Sequence, residues 1–199
     1  MSFSRTERAR LVDTFREVGP HAPTECEGWT AHHLAAHLLL RETSPLATAG
    51  MFLSPLAGVT DKAMQRQLDR PFAEVVAQWG RGPRGLWRLL DRKANVAEHF
   101  VHHEDVRRAQ GLGPRSFTTA ESRELYDALR NLKVLLRASR VAVELRPEGF
   151  PAIAAGQRDS EERVVISGQV GEILLYLYGR PAQGLDFVGD VEKIKLTSL

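Results

Sequence analysis

A single cysteine, Cys26, stands in the 199 residues. It can form no disulfide within the chain and no cysteine-based zinc cage, and so sparse a thiol content suits a reducing cytoplasm. Long apolar runs are also missing: none approaches the roughly 20 residues of a membrane-spanning helix. The N-terminus MSFSRTERAR lacks the apolar core of a secretory signal. A cytoplasmic protein with no membrane partner is therefore expected. Nor is there a surplus of charge of one sign, with 27 basic against 25 acidic residues and a formal charge of +2. That balance, with few aromatics and no interleaving of aromatic and basic residues, argues against a nucleic-acid partner. What is present is 43% hydrophobic and 26% charged residues, enough for an ordinary globular core in one large or two small domains.

The first two-thirds of the chain read as helices. Ser4 and Glu7 have the spacing of a capping box, and Leu11, Val12, Phe15 and Val18 follow at helical spacing until Gly19-Pro20. Thr30 is placed to cap a second helix running through Arg41. Residues 44–59, broken by Pro45 and Pro55, read as a long connection, and residues 60–69 and 71–79 as two short helices parted at Pro71. Helical sequence resumes at Leu86 and ends at Gly111 and Gly113-Pro114. Thr118 and Glu121 form a second capping box, and Leu125, Leu129, Leu132 and Leu136 mark the clearest amphipathic helix.

Near residue 138 the periodicity changes. VAVEL (141–145) alternates, PAIAA from residue 151 is short and apolar, and RVVIS (163–167) is β-branched, so three strands are expected. GEILLYLYGR (171–180) reads as a buried helix, LDFVGD (185–190) as a last strand, and Asp190 as the cap of a short terminal helix. The expected class is α+β, with an antiparallel helical bundle over residues 1–137 and a small α+β module over residues 138–199.

The densest chemistry lies in AEHFVHHEDVRR, residues 97–108. On a helix, Glu98 and His102 share one face, with Asp105 beside them, and His99 and His103 share another. Either pair can chelate an ion. Glu98 and His102 lie among small apolar residues that allow close packing, and they are the pair expected to face inward. A catalytic zinc site commonly takes three nitrogen or oxygen ligands from the protein. The helix TAHHLAAHLLLR offers His37, at the edge of its apolar face, as the third, with His33 one turn earlier as a substitute or assistant. A lone histidine on an apolar face is more often a core residue with a satisfied ring, so spacing leaves both readings open.

APTECEGWTAHHLAAHLLLRE, residues 22–42, resembles the signature of the DinB-like superfamily, in the branch similar to the N-terminal domain of mycothiol-dependent maleylpyruvate isomerases. In that signature a Cys-x-Gly-Trp-Thr stretch precedes the helix that carries a metal histidine. NVAEHFVHHEDVRRAQ (95–110) resembles its second half, and GEILLYLYGR followed by Gly-Asp resembles a sterol-carrier-like C-terminal module. The resemblance covers nearly the whole chain and looks closest to an actinobacterial group of metal-binding proteins. It implies a DinB-like four-helix bundle followed by that module, and a divalent-metal triad of His37, Glu98 and His102. One departure stands out: relatives tend to carry Arg-Asp where this chain has His32-His33.

The resemblance further implies a low-molecular-weight thiol such as mycothiol as cosubstrate; the nitrogen and carboxylate donors suit Zn2+, with nickel, iron and manganese as alternatives. A divalent cation favours thiolate over thiol, and the thiolate attacks small electrophiles in a transferase or isomerase reaction. Asp105 is a candidate to orient the His102 ring. Arg180 is a candidate to fork onto a carboxylate of the thiol or substrate. A metal-dependent hydrolase and a non-enzymatic metal- or ligand-binding module are the alternatives, and a homodimer is left open. Arg84, Arg88 and Arg92 read as a solvated basic face, Cys26 as a packed small residue and not a nucleophile, and Trp29 as the anchor of its loop.

Overall fold

Helix α1 (Phe3–Val18) starts one residue before the expected capping box. Its N-cap is Ser2, and Ser4 and Glu7 are buried within the helix. Glu7 is drawn inward because its carboxylate accepts a hydrogen bond from His103 Nδ1 at 2.8 Å, a partner 96 positions away that local spacing cannot reveal. Gly19, at φ +78°, turns the chain out of the helix, a conformation that costs little without a Cβ. In this computed structural model residues 2–44, 57–83 and 95–197 are described.

Thr30 caps α2 (Ala31–Thr43), as its sequence predicts. The acceptor that completes the box is His33, whose Nδ1 takes a hydrogen bond from Thr30 N at 3.3 Å and lies 2.9 Å from Thr30 Oγ1. A carboxylate at this position would do the same work, so His33 has a structural task here. His33→Ala should cost about 0.5–1 kcal/mol in chemical denaturation, and His33→Asp should recover it.

Helices α3 (Ala57–Leu68) and α4 (Phe72–Gly80, capped by Pro71) follow, then α5 (Val96–Ala109). The expected long connection lies almost wholly outside the described residues, as do the start of the helix from Leu86 and the three arginines at 84, 88 and 92. α1 packs on α2, α4 and α5, and α2 packs on α3 and α4. Leu11, Val12 and Phe15 of α1 meet Leu34, Leu38 and Leu39 of α2, Val75, Val76 and Trp79 of α4, and Val106 of α5 in one buried cluster. Phe15 meets Phe72 and Trp79 edge-on, which fills the space between α1 and α4.

α6 (Thr119–Leu132) carries the expected box, with Thr118 N on Glu121 Oε2 at 2.9 Å and Glu121 N on Thr118 Oγ1 at 3.3 Å. Strands β1 (Ala142–Pro147), β2 (Ile153–Gly156), β3 (Arg163–Gly168) and β4 (Asp186–Val188) form one sheet in the order β2-β1-β3-β4. β1 pairs antiparallel with β2 and parallel with β3, and β3 pairs antiparallel with β4. α7 (Val170–Leu177) packs on β1, β3 and α6. Asp190 accepts from Glu192 N to start a final 3-10 turn, Val191–Lys193.

The class is α+β. The compact units are residues 1–113 and 114–199, so the division falls earlier than the change of periodicity at residue 138. The reason is α6: Leu125, Tyr126 and Leu129 are buried, and the helix packs on α7 and the 3-10 turn that follows it. Its apolar stripe is therefore part of the C-terminal core. Among the described residues, no helix is long and apolar enough to cross a membrane.

Candidate metal centre

Most of α5 is buried, from Val96 through Val106, and Glu98 alone in that span is only partly so. A wheel with one inward and one solvated face does not describe such a helix. His99 and His103 are core residues on the side facing α1. His99 Nδ1 donates to Ser4 O at 2.9 Å, and its Nε2 lies 3.2 Å from Glu42 Oε1. His103 lies between Glu7 and Thr14, with Nε2 2.9 Å from Thr14 Oγ1. These rings are satisfied by protein groups. Arg8 closes the same network with two hydrogen bonds to Glu42, at 2.8 and 2.9 Å.

The other side of α5 faces His37 of α2. The rings of His37 and His102 lie 5.1 Å apart, nearly edge to face, and the Trp29 ring lies 5.2 Å from that of His37. Glu98 Oε2 is 3.4 Å from His102 Nε2 and 3.4 Å from Arg41 Nη1. His37, Glu98 and His102 thus bring one ligand atom each to within 4.8 Å of one another. A second group, Cys26, His102 and Asp105, also converges, and His33 belongs to neither. Asp105 is fully buried, and its Oδ2 accepts from His102 Nδ1 at 2.9 Å and from the Cys26 thiol at 3.2 Å.

His37 and Glu98 are held in the forms that donate to an ion, whereas His102 is held toward its protonated form. Burial, reinforced by the His102 charge, lowers His37 to about 3, so its imidazole is neutral at neutral pH. Burial alone would raise Glu98, but the hydrogen bond and charge of His102, with Arg41, hold it at about 2. Burial likewise opposes the charge on His102, yet hydrogen bonds to Asp105, Cys26 and Glu98 raise it well above 6.5. The Nε2 of His102 lies toward Glu98 and its Nδ1 toward Asp105, so both carboxylates favour the protonated ring. Two imidazoles and a carboxylate with this spacing fit a divalent ion once His102 gives up its Nε2 proton.

That exchange sets a pH dependence. Below the raised value of His102 an ion must displace a proton, so affinity should climb with pH by up to about tenfold per unit and level off above it. Chelator competition between pH 6 and pH 9, on either Zn2+ or Co2+, would check the slope. The metal-free protein should behave in the opposite sense. Stability from the raised His102 value is fully present below 6.5 and is lost as pH rises through the folded value.

No protein-family model matches the chain, and no curated protein matches it in sequence. Among solved structures, the crystal structure of a mycothiol-dependent maleylpyruvate isomerase matches with a TM-score of 0.57 and 16% identity, over 96% of this chain and 93% of that one. The two share a fold. A histidine-to-alanine mutant of a mycothiol-dependent maleylpyruvate isomerase matches with a TM-score of 0.46 and 18% identity, over 96% of this chain and 91% of that one.

Of the residues singled out in the sequence, the structure brings His37, Glu98, His102 and Asp105 together in the N-terminal unit. Arg180 lies in the C-terminal unit just beyond α7, where Gly179 at φ +69° closes the helix. The backbone N of Arg180 donates to Leu175 O at 3.0 Å, and its Nη1 donates to Tyr178 O at 3.1 Å. Two residues near the donors were not anticipated. Arg41, one turn after His37, reaches Glu98, a contact that its spacing from the histidine makes legible in retrospect. Cys26 reaches Asp105 across 79 positions of sequence, and its signal is its place in the stretch that precedes α2.

Proposed function

We propose that this protein binds one divalent metal ion, Zn2+ by donor type, and acts as a low-molecular-weight-thiol-dependent transferase or isomerase on small electrophiles. The observation that carries this reading is the convergence of His37, Glu98 and His102 in their ligand-competent surroundings. The fold shared with a mycothiol-dependent maleylpyruvate isomerase supports it, and mycothiol or a similar thiol is the cosubstrate we infer. In this reading the N-terminal unit is a DinB-like four-helix bundle and the C-terminal unit a sterol-carrier-like module. We place the protein in the cytoplasm.

When bound, a divalent cation would supply the charge that keeps a thiol as a nucleophilic thiolate at neutral pH. The remaining work falls to side chains. His37 and His102 present nitrogens and Glu98 an oxygen, and Asp105 holds the Nδ1 proton so that the His102 Nε2 faces the other two donors. Trp29 walls the His37 side of the site. Arg41 adds a fixed positive charge beside Glu98.

The metal-loaded protein should consume small electrophiles, such as cis-enoyl acids or chloronitrobenzenes, only when mycothiol or cysteine is added. Turnover with water alone would make it a metal-dependent hydrolase. No turnover with metal bound, across both thiols, would leave a binding module.

A further inference from the structure

Cys26 has no part in the chemistry proposed above, yet it touches the group that orients a metal histidine. Its Sγ lies 3.2 Å from Asp105 Oδ2, and the same oxygen lies 2.9 Å from His102 Nδ1. One carboxylate oxygen thus receives a thiol proton and an imidazole proton. With its proton on Nδ1, His102 turns Nε2 toward Glu98, 3.4 Å away.

The surrounding loop is fastened at the same residue. Glu25 N donates to Asp105 O at 3.0 Å, and Gln110 Nε2 donates to Pro23 O at 3.2 Å, so residues 23–26 are held against α5. Thr24 Oγ1 donates to Trp29 O at 2.9 Å and accepts from Cys26 N at 3.2 Å, which ties the cysteine to the tryptophan that packs on His37. The loop between α1 and α2 therefore contacts both metal histidines, directly at His37 and through Asp105 at His102.

We propose that Cys26 is a positioning residue for the metal centre: its thiol holds the Asp105 carboxylate in the orientation that sets His102 Nε2 toward His37 and Glu98. The inference rests on the metal reading given above. It differs from a site in which Cys26, Asp105 and His102 Nδ1 are themselves ligands. That arrangement would require the sulfur and Nδ1 to lose the protons they now give to Asp105.

Cobalt(II) affinity by chelator competition, with the visible absorption of the bound ion, tests the assignment in wild type, Cys26→Ala and Cys26→Ser. Cys26→Ala should weaken cobalt binding about threefold to tenfold and shift the visible bands. This is less than the loss expected when a direct partner of a metal ligand is removed, because Cys26 acts one step further out. Cys26→Ser, whose hydroxyl also donates to Asp105, should return the affinity to within about twofold. Capping the thiol of the folded wild type with methyl methanethiosulfonate should reproduce the alanine effect and reverse with reductant, which covers a variant that fails to fold. Unchanged affinity in both the alanine variant and the capped protein would overturn the assignment, as would a serine variant as weak as alanine. A sulfur-to-cobalt charge-transfer band before any thiol is added would make Cys26 a ligand and overturn it too. In each of those outcomes the metal reading stands, whereas a wild type that takes up no cobalt overturns both.

Discussion

His102→Ala should abolish stoichiometric metal binding, with a loss of affinity beyond the 10–100-fold typical of removing an outer partner of a ligand. His99→Ala, three residues away on the same helix, should leave the stoichiometry intact. The contrast follows from where the two rings point. His102 lies against His37 and within reach of Glu98. His99 lies edge-on to Trp79 at 5.4 Å and bridges Ser4 O and Glu42. Equilibrium dialysis with elemental analysis of both variants decides between the faces. Metal lost from the His99 variant and kept by the His102 variant would move the centre to the α1 side of α5.

Glu42→Ala should be strongly destabilising, costing about 3–5 kcal/mol. Glu42 Oε1 accepts from Arg8 Nη2 at 2.9 Å and Trp79 Nε1 at 3.1 Å and lies 3.2 Å from His99 Nε2, while Oε2 accepts from Arg8 Nη1 at 2.8 Å. The Arg8 and Glu42 side chains are only 5% and 9% exposed, so removing the carboxylate takes the balancing charge from a buried guanidinium that keeps its hydrogen bond to Trp79 O at 3.0 Å. Burial would raise the Glu42 carboxyl, but His99 and Arg8 hold it below the usual value. Its stabilising share is therefore present at neutral pH and is lost as pH falls through the depressed value. Thermal melts of wild type and variant should differ by on the order of 10 °C at neutral pH and converge in acid. A difference that persists unchanged in acid would contradict the assignment of that stability to the ionised network.

Local signals in the sequence carried the elements well. The Thr118 box, the Thr30 cap, the Pro71 helix start and the alternation of VAVEL each appear where side-chain chemistry puts them. Signals that depend on distant partners did not carry. Ser4 and Glu7 have the spacing of a cap, but Glu7 is held by His103, a contact that outweighs a terminal hydrogen bond. The amphipathic stripe of α6 was plain, but a stripe does not name the surface that covers it, and the partner is α7. The same limit applied to the site. Helical spacing grouped Glu98 with His102 and proposed His37, but it took His99 and His103 for an alternative pair because it could not see that α5 is buried on both sides. Cys26 reads as a packed small residue for the same reason, since its partner Asp105 is adjacent only after α5 packs against the loop that follows α1.

The most direct test of the account is a thiol titration of the cobalt-loaded protein. One cobalt per chain is expected, held by His37, Glu98 and His102, with a saturable sulfur-to-cobalt charge-transfer band as mycothiol or cysteine is added. Bound cobalt whose spectrum no thiol alters would contradict the thiol-dependent reading, and a protein that retains no cobalt at any pH from 6 to 9 would contradict the metal centre itself.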